Sequence, residues 1–297
     1  MATDEALRAA ADALQESVLV AGVGTRGIEA AGRIAAGDAP ATDEAVDPDA
    51  VVLAVDGTDP ETGAATDAAA SSAAASLADS VPTTVDAPVC VAVVTVLDGP
   101  TTGERALLAA LQEHVDAVVL TAGEGTEALV EGVEAFVSVV RDPGFVNVDL
   151  ADARTVLDPI DLAGLGLGAS ASGSADEAVG RAFSSLPSGV ETDPASGVLV
   201  DLHGGLGLSV GDVDDAVTAV RRRIGTDAHV IWGGAVDPTL ADELRVRLVV
   251  AGVGNERVRA GDPCPRCGAT LVAYSLGTRT TISCDDCGYA GVSVRLR

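Results

Sequence analysis

Asn147-Val148-Asp149-Leu150-Ala151-Asp152 packs two carboxylates and an amide into six residues near the middle of a 297-residue chain. What lies on either side of it decides the fold. Upstream, continuous apolar runs alternate with Ala-rich amphipathic stretches, the pattern of a three-layer α/β domain. Downstream comes a shorter α/β unit, so the hexapeptide sits at a seam. A chain of this length has room for two domains and an appendage.

Reading back from the seam, residues 2–15 have the spacing of a short amphipathic helix, and 17–21 that of a strand running into Gly22-Val23-Gly24-Thr25-Arg26-Gly27. A glycine loop of this kind lets backbone amides approach a phosphate at a helix N-terminus, because no Cβ stands in the way. A dinucleotide fingerprint would also need an acid at the end of the second strand, ~20 residues on. Residues 38–44 fall there and read as a loop. Apolar runs at 50–55, 88–96 and 115–120 read as buried parallel strands, with helices at 63–80, 103–113 and 125–140. Cys90, inside the second of these runs, reads as a small buried hydrophobe.

Reading forward, 164–171 is a glycine-rich strand, 174–185 a helix and 197–202 a strand. Ser209-Val210-Gly211-Asp212 has the form of a capping box. It opens a helix with Val213, Ala216, Val217, Val220 and Ile224 on one face. Strands at 229–233 and 244–251 close an α+β unit. The expected division is 1–146, a nucleotide-type domain; 147–254, a smaller α+β domain; and 255–297, a cysteine-bearing appendage.

Extended by Ala153-Arg154-Thr155-Val156, the central string resembles the catalytic loop of the FtsZ/tubulin superfamily. It is closest to FtsZ, whose pattern there is Asn-x-Asp-x-x-Asp. The segments beginning Gly166-Leu167-Gly168, Gly197-Val198-Leu199, Ala228-His229-Val230 and Arg245-Val246-Arg247 are similar, in order, to the strands that follow in that family. The resemblance implies a parallel-sheet FtsZ/tubulin-like domain, then the smaller domain, with GTP or GDP as the nucleotide. It implies that Asp149 and Asp152 polarise water at the nucleotide of the next subunit in a head-to-tail stack, Asn147 being the orienting amide. Phosphoryl transfer depends mostly on such positioning. Asn and Asp in this arrangement equally suit a turn that caps the following helix, and the two roles can coexist.

The resemblance also implies nucleotide contacts at Gly22, Gly24 and Gly27, and at Thr62 and Gly63 in a second phosphate loop. There the chain departs from the pattern. FtsZ has Gly-Gly-Gly-Thr-Gly-Thr-Gly-Ala, whereas this chain has Gly57-Thr58-Asp59-Pro60-Glu61-Thr62-Gly63-Ala64. Proline removes an amide donor, and two carboxylates would face a triphosphate unless a cation intervened. Glu29 stands where the family has Asn, and the segment between Gly27 and Val51 is short. The expectation is an eroded GTP pocket.

Cys264, Cys267, Cys284 and Cys287 form C-x2-C-x16-C-x2-C, each pair followed by glycine. Four thiolates so spaced suit a tetrahedral structural Zn²⁺ in a zinc ribbon, with iron as the alternative. Residues 255–297 carry six Arg against four acids, a formal +2 on an otherwise strongly acidic chain. That contrast suggests an acidic protein or a nucleic acid as the ribbon's partner; a ribbon that only caps the body is the plainer reading.

The net charge is -27, and all 18 basic residues are Arg. Such a surface suits a salt-accumulating, archaeal halophile, in which molar salt screens the self-repulsion. No run approaches the ~20 apolar residues of a membrane span. The N-terminus bears acids where a signal peptide bears bases, so a cytoplasmic location is expected. The leading functional expectation is a divergent FtsZ-like cytoskeletal or cell-division protein that assembles with, or regulates, filament-forming relatives or itself. The alternatives are an active polymerising GTPase and a nucleotide-free scaffold whose ribbon binds protein or nucleic acid.

Overall fold

Strand burial sets the architecture. The computed structural model describes residues 17–36, 48–58, 89–97, 102–112, 114–141, 144–157, 162–188, 190, 192, 195–224, 228–252, 260–261, 264, 268–276, 279–286 and 290–291. The helices expected at 2–15 and 63–80 lie outside these residues, as do Thr62, Gly63, Cys267 and Cys287.

Val18–Val23 (β1) leads into Gly24–Ala36 (α1) and pairs in parallel with Ala50–Asp56 (β2). β2 pairs with Cys90–Val96 (β3), and β3 with Ala117–Ala122 (β4), again in parallel. β2 is buried throughout, as a strand must be when helices cover both faces of its sheet. On one face, Leu53, Val55, Val94 and Leu120 pack on Leu107, Leu108 and Leu111 of Thr102–Gln112 (α2). On the other, Val52, Ala54, Val93 and Val119 pack on α1 and on Gly125–Arg141 (α3). The buried residues of α1, Gly27, Ala30 and Ile34, recur at helical spacing and make its inner stripe.

Leu150–Leu157 (α4) begins inside the central hexapeptide and joins the α1/α3 core through Leu150, Ala153, Val156 and Leu157. Leu162–Ser170 (β5), Gly197–Gly204 (β6), His229–Val236 (β7) and Leu244–Ala251 (β8) follow. Ala175–Ser184 (α5) and Val210–Arg221 (α6) cover one face of these strands. At the start of α6 the capping box is formed. The Asp212 amide donates to Ser209 Oγ at 3.3 Å, and the Ser209 amide donates to Asp212 Oδ2 at 2.8 Å.

The seam expected at residue 147 does not interrupt the sheet. The start of β5, Leu162 to Leu165, pairs in parallel with Val118 to Thr121 of β4, while Ala163 onward pairs antiparallel with β8. The strand order is therefore β1-β2-β3-β4-β5-β8-β6-β7 in one sheet. The core follows: Leu165, Leu199, Val249 and Ala251 belong to the same cluster as α1 and α3. Met1–Val253 forms one compact unit and Gly254–Arg297 a second.

In the second unit Val272–Leu276 (β9) and Arg279–Ser283 (β10) form an antiparallel pair, and Ala290–Gly291 (β11) pairs with β10. Among the described residues, no helix is long and apolar enough to cross a membrane.

Candidate functional site

Residues 144–152 are held against β7. The Gly234 amide donates to Val146 O at 2.9 Å, and buried Val148 lies over Gly233, where a side chain on the strand would strike it. Asn147 Oδ1 accepts from the Gly144 amide at 2.7 Å. Asp149 Oδ1 accepts from the Asp152 amide at 2.8 Å, and Asp152 Oδ2 accepts from the Asp149 amide at 3.4 Å. That is a reciprocal cap on the first turn of α4, the arrangement favoured at helix N-termini. The capping role is thus present, and Asn147 and Asp149 remain exposed to solvent.

The glycine loop lies at the other end of the parallel strands. Gly24 begins α1 at φ +73°, a conformation that favours glycine. A Cβ on Gly22 would overlap the backbone of Gly27, and one on Gly27 would overlap the carbonyl of Ala54. Two of the three glycines are therefore taken up by strand–helix packing. Glu29, on the next turn, accepts from Arg33 at 2.8 Å and from Thr126 Oγ1 at 3.2 Å, linking α1 to α3.

Beside this loop stands Asp56, an acid on which the sequence reading placed no role. It ends β2, fully buried. Its Oδ1 accepts from the Thr58 amide at 2.9 Å, from Thr58 Oγ1 at 2.6 Å and from Thr95 Oγ1 at 2.7 Å. Its Oδ2 accepts from Arg26 at 3.0 Å. Burial is the largest single influence and pushes the carboxyl up. The hydrogen bonds from Thr58, Thr95 and Arg26 together outweigh it, so Asp56 ionises below the usual carboxylate range. The cation of the glycine loop and the first donors of the second loop thus converge on a carboxylate of the protein itself.

The two sets of candidate residues are not brought together. Leu150 and Ala153 of α4 line a cavity of about 80 Å³ with Val18, Ala50 and Val89, which stand at the beginning of the parallel strands. Gly22, Gly24, Gly27 and Asp56 stand at their ends. Strands of this length, at about 3.3 Å per residue, separate the two sets by roughly 20 Å. One chain cannot apply Asp149 and Asp152 to a phosphate held at its own glycine loop.

Around residues 144–149 the surface is apolar. Phe145, Val146 and Val236 are exposed, and Leu206 and Val210 are exposed by 79% and 86%. A groove of about 390 Å³ opens among Phe145, Leu208, Val210, Val213 and Trp232. Clustered exposure of this kind marks an interaction surface more often than scattered single residues do. On the sheet, Asp201 Oδ2 lies 2.8 Å from Arg247 and 3.1 Å from His203 Nε2, a part-buried polar triangle.

Residues 161–254 match the FtsZ family, C-terminal domain. Over 133 residues the chain is 34% identical to cell division protein FtsZ 1 of Halobacterium salinarum, covering 44% of this chain and 34% of that one. Over 186 residues it is 32% identical to FtsZ 1 of Methanocaldococcus jannaschii, covering 55% and 51%. The chain thus spans a third to a half of the length of these relatives. Among solved structures, an FtsZ of M. jannaschii aligns with 78% of this chain and 72% of its own at a TM-score of 0.54 and 24% identity. CetZ2 from Haloferax volcanii aligns with 76% and 71% at 0.51 and 19%. Residues 161–254 thus carry an FtsZ-type C-terminal domain, and the fold on both sides of the central loop is similar to that of these FtsZ and CetZ structures.

Proposed function

We propose that this FtsZ-like protein works as a partner of filament-forming relatives and does not itself turn over nucleotide, offering its 144–152 face while its own phosphate side is closed. The observation that carries this reading is Asp56. An anion fixed among Arg26, Thr58 and Thr95 occupies donors that would otherwise face a phosphate. Like charges at such range repel, so a triphosphate arriving there meets a carboxylate already in place. The ~20 Å between the two sets of residues means that Asp149 and Asp152 can serve only a different molecule's phosphate. The apolar patch beside them supplies a surface for that contact. A GTPγS-bound protofilament is the form in which the similar CetZ2 was solved, which makes subunit stacking the natural setting.

The test uses the purified full chain in molar KCl. Denaturation followed by chromatography is expected to release no guanine nucleotide. Pelleting with a filament-forming archaeal FtsZ is expected to carry the chain down, and Leu206→Asp with Val210→Asp to leave it in the supernatant. Stoichiometric GDP or GTP, with hydrolysis that rises with the chain's own concentration, would establish the active GTPase instead.

A further inference from the structure

The cavity of about 80 Å³ at the beginning of the parallel strands has walls and a mouth of different chemistry. Its walls are apolar: Val52 and Val91 come from the sheet, Phe136 and Val140 from α3, and Ala153 and Leu157 from α4. Two charged residues, Arg154 and Asp116, complete the lining, and both are exposed to solvent.

Packing alone does not call for either charge. In α4, Leu150, Ala153, Arg154 and Leu157 recur at the spacing of one helical face. The other three are buried and apolar, so Arg154 occupies a place on the inner stripe where the pattern asks for another hydrophobe. A long stem can follow such a stripe while its charged head stays in water. Among the described residues the Arg154 guanidinium forms no ion pair. Asp116 is pinned by its neighbour strand: the Cys90 amide donates to Asp116 Oδ2 at 2.7 Å, and the Asp116 amide donates to Cys90 O at 2.8 Å.

Size and chemistry together limit the occupant. At about 30 Å³ for a water-sized group, the space holds roughly three carbon groups. Apolar walls leave water without partners and favour hydrocarbon. The mouth adds one cation and one anion. A bare hydrocarbon leaves both unused, and a simple fatty acid brings its carboxylate towards Asp116 with nothing to offset the repulsion. A zwitterion answers both, because a guanidinium fork matches a carboxylate and a carboxylate accepts from an ammonium.

We infer that this cavity binds a free aliphatic α-amino acid of valine's size, with its side chain among Val52, Val91 and Phe136, its carboxylate on Arg154 and its ammonium on Asp116. The site is separate from the 144–152 face but is joined to it through α4. Leu150 lines the cavity and directly follows Asp149, whose carboxylate caps the first turn of that helix. An occupant packed against Leu150, Ala153 and Leu157 braces α4, and with it the reciprocal cap of Asp149 and Asp152.

Thermal melting of the purified full chain in molar KCl, titrated with L-valine, tests the assignment. The midpoint is expected to rise saturably, by about 3 °C or more at roughly ten times the dissociation constant, and amide exchange in 150–157 to slow. Glycine, which lacks the hydrocarbon, is expected to have no effect. Isovalerate lacks the ammonium and isobutylamine the carboxylate, and each is expected to bind about tenfold or more weakly. Arg154→Gln and Asp116→Asn are expected to lose the valine response yet keep the ligand-free midpoint, since both side chains are exposed. Arg154→Lys is expected to retain part of the response. A midpoint unmoved by valine, a rise that glycine or isovalerate matches, or a response of Arg154→Gln equal to that of wild type would each overturn the inference.

Discussion

At the scale of single residues, Asp56 and Arg26 divide their contributions unequally. Asp56 is buried and accepts several hydrogen bonds; Arg26 is about a third exposed, its side chain at 36%. Asp56→Asn removes the charge from a carboxylate held by its neighbours and is expected to cost about 2 kcal/mol. Arg26→Ala removes a partner that water can replace, at about 1 kcal/mol or less. The folded-state pKa of Asp56 is lowered, so its stabilising effect is complete above the ordinary carboxylate value of about 4 and is lost as pH falls through the folded value. Denaturant midpoints of wild type and Asp56→Asn should therefore converge on acidification; a constant gap would remove the charge from the explanation. Little of this was legible beforehand. An acid closing an apolar strand reads as the opening of a turn, and its partners Arg26 and Thr95 lie 30 and 39 residues away along the chain. Asp149 and Asp152 were easier, because a cap is made within one helical turn. Cys90, read as a small buried hydrophobe, is half-buried; burial, then the nearby Asp116 charge, push its thiol up to about 11.

At the scale of elements, strands and helices were readable where periodicity is local. The buried runs that became β2, β3 and β4, and the amphipathic stretches of α1, α3 and α6, announce themselves in a dozen residues. β7 runs to Val236, beyond the expected end at 233, because its parallel pairing with β6 continues as far as Gly204 opposite Val236, and Val146 bridges Gly234 as well. That neighbour comes from ninety residues upstream, which no local pattern reports. The glycine loop was read for phosphate, and in the structure Gly22 and Gly27 also stand in close strand–helix contact. Gly27→Ala sets a methyl against the Ala54 carbonyl, so the docking of α1 on β2 should suffer without any ligand present. A fall in melting temperature of several degrees is expected, as a loss of 1 kcal/mol or more produces in a unit of this size; an unchanged transition would return that glycine to ligand binding.

At the scale of the whole molecule, charge and connectivity decide behaviour. A net charge of -27 repels itself at low ionic strength. The melting temperature should climb as KCl rises from about 0.1 M towards 1 M and the screening length shortens from about 10 to 3 Å; a flat response would separate the acidic composition from salt dependence. Connectivity was the least legible feature, since the choice of partner strand is settled by contacts distant in sequence. β5 is bonded to β4 on one side and to β8 on the other, so the halves before and after the central loop are spliced. A splice has no hinge. Rotating one half against the other would break the four-residue ladder between β4 and β5 and prise open a core they share, so the subunit has one shape to offer. In the proposed stack, a neighbour would meet these joined halves as one fixed template.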